Sequence, residues 1–303
     1  MQTADQSESN SWQQTYESLG LTLECQLNTD QDVICENIKH ALTLGLPEIW
    51  PCANRIEERG ELIENDTNLV ICAGGPSLLE HIDEIRDRQI NGAKIVALAN
   101  VAHLLLAHDI RPNAHVLLDA KPRNADFITN CETTLFISSQ CDPKVFENAL
   151  KTDNQVMLYH AVNNAQEADT LNEHYQQKAD ETGDPQEGVW VPVQGGSTIT
   201  MRAIRLFTLL GYSKFHMYGW DSCFLNDSHH AYEQPDADKQ RVMKMQFEDR
   251  VFRVTPWMIS QALEMQNFVK MFCMNIDLAV HGEGLIAYII KCAASLKVDI
   301  KEN

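Results

Sequence analysis

The chain has 303 residues, 44% of them hydrophobic and 22% charged, with 24 basic against 43 acidic side chains and a formal charge of −19. That length can bury a large core, in one large or two modest domains, and the acidic balance argues against nucleic acid or an anionic membrane as a partner. Nine cysteines, an odd number with no C-x-x-C pair, suit a reducing compartment; a polar N-terminus and no apolar stretch long enough for a bilayer make cytoplasmic the expected location, with no membrane span.

Residues 1–65 read as a helical N-terminal appendage. Asp30 to Leu44 carries an apolar stripe (Val33, Ile34, Ile38, Ala41, Leu42) that Gly45 and Pro47 stop, and a charged connector follows. Leu69 to Ala73 is apolar without alternation, as in a buried parallel strand, and ends at Gly74-Gly75-Pro76. Ser77, three residues before Glu80, predicts a capping box and a helix from Leu78 to Gln89. A strand, two glycines and a helix start leave backbone N–H groups aimed at one spot. Gly74, Gly75, Pro76 and Ser77 are therefore candidates for holding a phosphate or carboxylate.

The alternation then continues. Strands are expected at Lys94–Ala99, His115–Leu118, Thr134–Ile137, Gln155–Tyr159, Val189–Val193 and Lys214–Tyr218. Helices are expected at Val101–His108, Pro143–Leu150, Asn164–Asp180 and Ile199–Leu210. After Asp221 come an irregular stretch over 226–239, a short strand at Arg250–Val254, a helix from Pro256 to about Met274, a brief strand at Asp277–Val280 and a helix from Gly284 to Leu296. This is an α/β, Rossmann-like pattern: a mainly parallel sheet with helices on both faces over residues 66–225. Residues 226–303 form a lid segment and a C-terminal helical extension on the same domain.

Such sheets bind ligands outside the carboxyl ends of their strands. The residues expected there are Gly74, Gly75, Asn100, Asp119, Gln140, His160, Gly195, Gly196 and Asp221. They describe one polar rim with two glycine turns, the second continuing into Ser197 and Thr198. The expectation is that both turns meet on one side of the sheet and hold a nucleotide's anionic tail together.

ICAGGPSL, LANVAHLLLAHDIRPNAHVLLDA and QGGSTITMRAIRLFTLLGYSKFHMYGWD, in that order between Asn68 and Cys223, resemble the 6-hydroxymethylpterin diphosphokinase MptE-like family. The resemblance implies a nucleotide-dependent transferase. One branch transfers diphosphate from ATP, with magnesium, to a pterin-type hydroxymethyl acceptor. Relatives resemble motility accessory factors and bacterial sialyltransferases that use CMP-sugars. In those sialyltransferases an asparagine stands where this chain has Gly74, and Asn100 matches a second one. A nucleotide or nucleotide-sugar and a small-molecule or glycan acceptor are the implied partners; a homo-oligomer and a non-catalytic nucleotide-binding role stay open.

Both chemistries need the donor's phosphates held, a task for the N–H groups after Gly74-Gly75 and Gly195-Gly196, with hydroxyls from Ser77, Ser197 and Thr198. Asn100 can read a base or ribose. For diphosphate transfer, Asp119 and Asp221 are the candidate magnesium ligands and catalytic acids, with Lys121 and Arg123 near the phosphates. For glycosyl transfer, His229 or His230 in DSHHAY can act as general base from a lid, and Tyr232 can donate to the leaving phosphate.

Overall fold

The computed structural model describes residues 29–49, 67–232, 241–272 and 276–299. Eight strands form one parallel sheet: β1 (Leu69–Cys72), β2 (Lys94–Leu98), β3 (Ala114–Leu117), β4 (Thr134–Ser138), β5 (Gln155–Ala161), β6 (Pro192–Val193), β7 (Lys214–Tyr218) and β10 (Asp277–Val280), in the order β10-β7-β1-β2-β3-β4-β5-β6. A separate antiparallel hairpin, β8 (Met243–Phe247) with β9 (Arg250–Val254), lies between β7 and β10 in the chain.

The interior strands are apolar on both faces because both faces are covered. Val70 and Cys72 of β1 pack with Ile95 and Ala97 of β2 under α2 (Ile82–Ile90) and α3 (Val101–Ala107). Leu135 and Ile137 of β4 continue that face beneath α4 (Pro143–Ala149). Leu69 and Ile71 point the other way. They join Val96, Val116 and Phe136 against α6 (Ile199–Leu209), α7 (Pro256–Phe272) and α8 (Leu285–Asp299). Each fully buried Ile, Leu or Phe contributes about 1.5–3 kcal/mol, so this double burial is what keeps the sheet in the middle.

The helix α1 (Gln31–Thr43) packs on α5 (Ala165–Thr182) and α4. Pro47 and Ile49 then bond to both sides of the Leu158 peptide, and Ile49 is 2% exposed. The described part of the N-terminal segment is thus built into the sheet's flank. The charged connector after Ile49 and the polar residues 1–28 lie outside the described residues.

Three local expectations change. Ser77 forms no capping box: Pro76–His81 is a 3-10 turn without a side-chain cap, because the Ser77 hydroxyl donates to Asp221 instead. The fifth strand runs on through Ala161, so His160 sits inside it and faces Ser139 and Tyr175. The hairpin partner β8 had no counterpart in the sequence reading, since MKMQF mixes polar and apolar residues and only Met245 is buried.

The chain order β1 to β6 runs toward one edge with α2, α3 and α4 on one face. It then returns over the other face through α6, and β7 lies on the far side of β1. The order therefore reverses between β1 and β7, which opens a crevice at their carboxyl ends.

Candidate active site

The crevice is closed at its base by Asp221, which is 2% exposed. Its carboxylate accepts the Ser77 N–H at 2.9 Å on one oxygen and the Ser77 hydroxyl at 2.7 Å on the other. Burial raises its pKa, and the two Ser77 bonds oppose that only in part. The surroundings leave no room for side chains. A methyl on Gly75 would overlap Asp221 Oδ2 and the Gly219 carbonyl, which the Gly75 N–H meets at 2.7 Å. Gly219 has φ +68, and its Cβ would strike the Ala73 carbonyl. Thus the N–H expected to greet a ligand's phosphate at Ser77 is held by the chain's own carboxylate, which takes the anion's place at this turn.

Residues 224–232 fold over the outer side of the turn. The Ala231 N–H donates to the Gly74 carbonyl at 3.0 Å, and His230 Nδ1 lies 3.2 Å from the same oxygen. Tyr232 stacks on His230 with centroids 5.5 Å apart and covers Gly74. His229 sits 4.3 Å from His230 and 5.1 Å from the Phe224 ring. The segment is fastened at its start by Phe224, whose N–H bonds to Arg253 of β9, and by the Arg253–Asp227 ion pair. Ser222, Asn226 and Asp227 have left-handed φ of 48°, 49° and 67°, a conformation that Asn and Asp adopt readily and that is costly at Ser222. Between this flap and the turn lies a cavity of about 450 Å³ lined by Pro76, Glu80, Asn226, Ser228, His230 and Tyr232, among others.

A second set of polar groups lies farther along the rim. Asp119, just past β3, reaches solvent, and its carboxylate makes no hydrogen bond among the described residues. Desolvation by the surrounding chain raises its pKa, and the charges of Lys121 and Arg123 oppose that. Gln140 donates to the Leu118 carbonyl at 2.8 Å and is structural in this arrangement. Asn100, past β2, is half-buried and makes no cap bond to α3.

The glycine turn after β6 is at the sheet's far edge. Arg202, 3% exposed, gathers the carbonyls of Gly196, Val193 and Val162 with Asn163 Oδ1. Ser197 gives both its N–H (2.9 Å) and its hydroxyl (2.6 Å) to Glu264 of α7, and Thr198 caps α6 through Met201 N. As at the first turn, a carboxylate of the chain itself occupies the donors.

The expected meeting of the two turns does not occur. Five strand steps separate β1 from β6, about 24 Å at about 4.8 Å per strand. Hydrophobic patterning identifies strands but not their order, and β6 closes the opposite edge. Asp119 and Asp221 are likewise three steps apart, about 14 Å, so one ion cannot join them. Among the described residues, no three His, Cys, Asp or Glu side chains are placed to hold a metal ion. What the fold does assemble is Gly74 to Ser77, Asp221, His229, His230 and Tyr232, with Asn100 one strand away.

The model of one protein family matches residues 46–227, more than half of the chain and all of β1 to β7. The chain belongs to the 6-hydroxymethylpterin diphosphokinase MptE-like family. Membership of this MptE-like family supports a transferase-type function. No curated protein matches the sequence. Among solved structures, the MAf glycosyltransferase from Magnetospirillum magneticum AMB-1 shares the fold, with a TM-score of 0.52 and 18% identity over 72% of this chain. The match covers 33% of that protein, so the chain corresponds to about a third of its length. Among the described residues no helix is long and apolar enough to cross a membrane.

Proposed function

We propose that the chain is a glycosyltransferase-type enzyme that takes a nucleotide-activated sugar in the crevice between the first turn and residues 224–232. The observation that carries this reading is the cavity beside the first turn, lined by Pro76 and Glu80 on one side and by His230 and Tyr232 on the other. Asn100 reads the base or ribose from the neighbouring strand end. His230 is the general base. A carbonyl oxygen only accepts, so the contact with Gly74 assigns the proton to Nδ1 and the lone pair to Nε2. Nε2 removes the acceptor's hydroxyl proton as the acceptor oxygen attacks the anomeric carbon. The bond from that carbon to the phosphate oxygen breaks, and the nucleotide leaves with the electron pair. Asp221 holds the turn in shape and touches neither reactant.

Hydrolysis of a CMP-sugar, with water as acceptor, tests this. His230→Ala should lower kcat about a hundredfold or more with little change in KM or thermal stability. Unchanged turnover would remove His230 from the mechanism and the proposal with it.

A second reading, diphosphate transfer from ATP to a pterin-type hydroxymethyl acceptor, is favoured by Asp119. Its exposed carboxylate, without a hydrogen bond among the described residues and beside Lys121 and Arg123, fits magnesium held by one carboxylate plus the donor's phosphates. Asp221 does not fit that role, because both its oxygens are engaged by Ser77. Magnesium would neutralise charge on the transferred diphosphate; Lys121 and Arg123 would orient it.

A further inference from the structure

We infer that His115, buried within β3, is a positioning residue that fixes Asn100 at the carboxyl end of β2, one strand from the first glycine turn; the inference rests on the proposed nucleotide donor. His115 has no exposed surface, and its Nε2 lies 2.7 Å from the Ala99 carbonyl. That oxygen can only accept, so Nε2 carries the proton and Nδ1 the lone pair. Nδ1 finds no partner among the described residues. A buried ring nitrogen without a partner is unfavourable, and an apolar side chain would avoid it. The contact with Ala99 is therefore what the histidine contributes.

Ala99 is where the chain needs that contact. It has φ 47°, a left-handed conformation that alanine resists. Both of its polar groups are pinned from β3: its N–H donates to the Val116 carbonyl at 3.0 Å, and its carbonyl accepts from His115. In a trans peptide the C=O and the next N–H point opposite ways. Holding the Ala99 carbonyl toward the core thus turns the Asn100 N–H outward. Asn100 then takes φ −69° and ψ −6°, not the extended geometry of a capping residue, and its side chain makes no cap bond to α3. The side-chain amide is therefore not spent on the start of α3 and sits half-buried at the carboxyl end of β2, one strand from the first glycine turn. Burial, with His103 adding to it, pushes the His115 pKa down to about 4 against the Ala99 bond. The ring stays neutral at physiological pH, and its one proton stays on Nε2.

The test compares His115→Leu, which removes the donor, with His115→Gln, which keeps an N–H in reach, and with Ala99→Gly added to His115→Leu. The readouts are the Asn100 amide resonance in 15N-labelled protein and the Kd for CMP. In His115→Leu the resonance should move and CMP affinity should fall about tenfold, one lost polar contact. His115→Gln should stay near wild type, and Ala99→Gly should recover most of the loss by making the left-handed turn easy. A lower Tm in His115→Leu with the Asn100 resonance and CMP affinity unmoved would overturn the inference. A wild-type chain that binds neither CMP nor ATP would sink the proposed donor, and the Asn100 resonance would then decide the positioning claim alone.

Discussion

Replacing Asp221 separates its two contributions. Asp221→Ala strands the Ser77 N–H and hydroxyl, both in a residue with no exposed surface. Each buried donor left without an acceptor costs about 1–3 kcal/mol. Losing a buried carboxylate, whose pKa burial already raises, offsets part of that. The net expectation is a loss of about 2–4 kcal/mol, a large share of the about 5–15 kcal/mol typical of a folded domain. Asp221→Asn keeps the volume and one acceptor oxygen and sheds the charge, so about 1 kcal/mol is expected. The pH dependence has a definite sign. The folded carboxyl holds its proton more tightly than the unfolded one, so the wild type's advantage over Asn is greatest below the ordinary carboxyl pKa and shrinks as pH rises through the raised value. Urea denaturation from pH 4 to 7 measures all three proteins. Equal losses for Ala and Asn, or a loss below about 1 kcal/mol for Ala, would refute the view that this carboxylate holds the turn.

Gly75→Ala pushes a methyl into Asp221 and the Gly219 carbonyl; a loss of about 1–3 kcal/mol in the same assay is expected, and a neutral result would contradict the close approach. Acidification should weaken the edge where β10 meets β7. Burial holds His281 down at about 4, so stability falls as pH drops from about 6.5, its unfolded value, through that point. Glu84, where burial is outweighed by bonds from Tyr218 and Arg88, is held at about 2 and adds its own loss below the ordinary carboxyl range. Melting curves should show a shallower decline between pH 6.5 and 4 for His281→Phe, which keeps the stack on Tyr218; an identical decline would rule the histidine out.

Much of the scaffold was legible because it is written in short-range chemistry. The unbroken apolar run Leu69–Cys72 reports a strand buried on both faces, whereas Lys214–Tyr218 (KFHMY) mixes polar and apolar residues and buries Phe215, Met217 and Tyr218; both strands lie where the apolar pattern places them. The glycines at 74 and 75 marked a tight corner, and HHAY marked a segment near it. What was not legible depends on partners far apart in sequence. The Ser77 hydroxyl could have met Glu80, three residues on, but Asp221, 144 residues on, is where it points. The same holds for Ser197 and Glu264, and for the edge position of β6. His115 offered one signal: a lone histidine in the apolar strand AHVL.

The donor site itself is tested most directly by calorimetric titration of the wild-type chain with CMP and with ATP, each with and without magnesium. CMP should bind without metal, and His230→Ala should leave this binding in place while Asn100→Ala weakens it. Binding of ATP alone, and only with magnesium, would contradict it in favour of diphosphate transfer around Asp119. Heat from neither nucleotide would contradict a nucleotide donor of any kind.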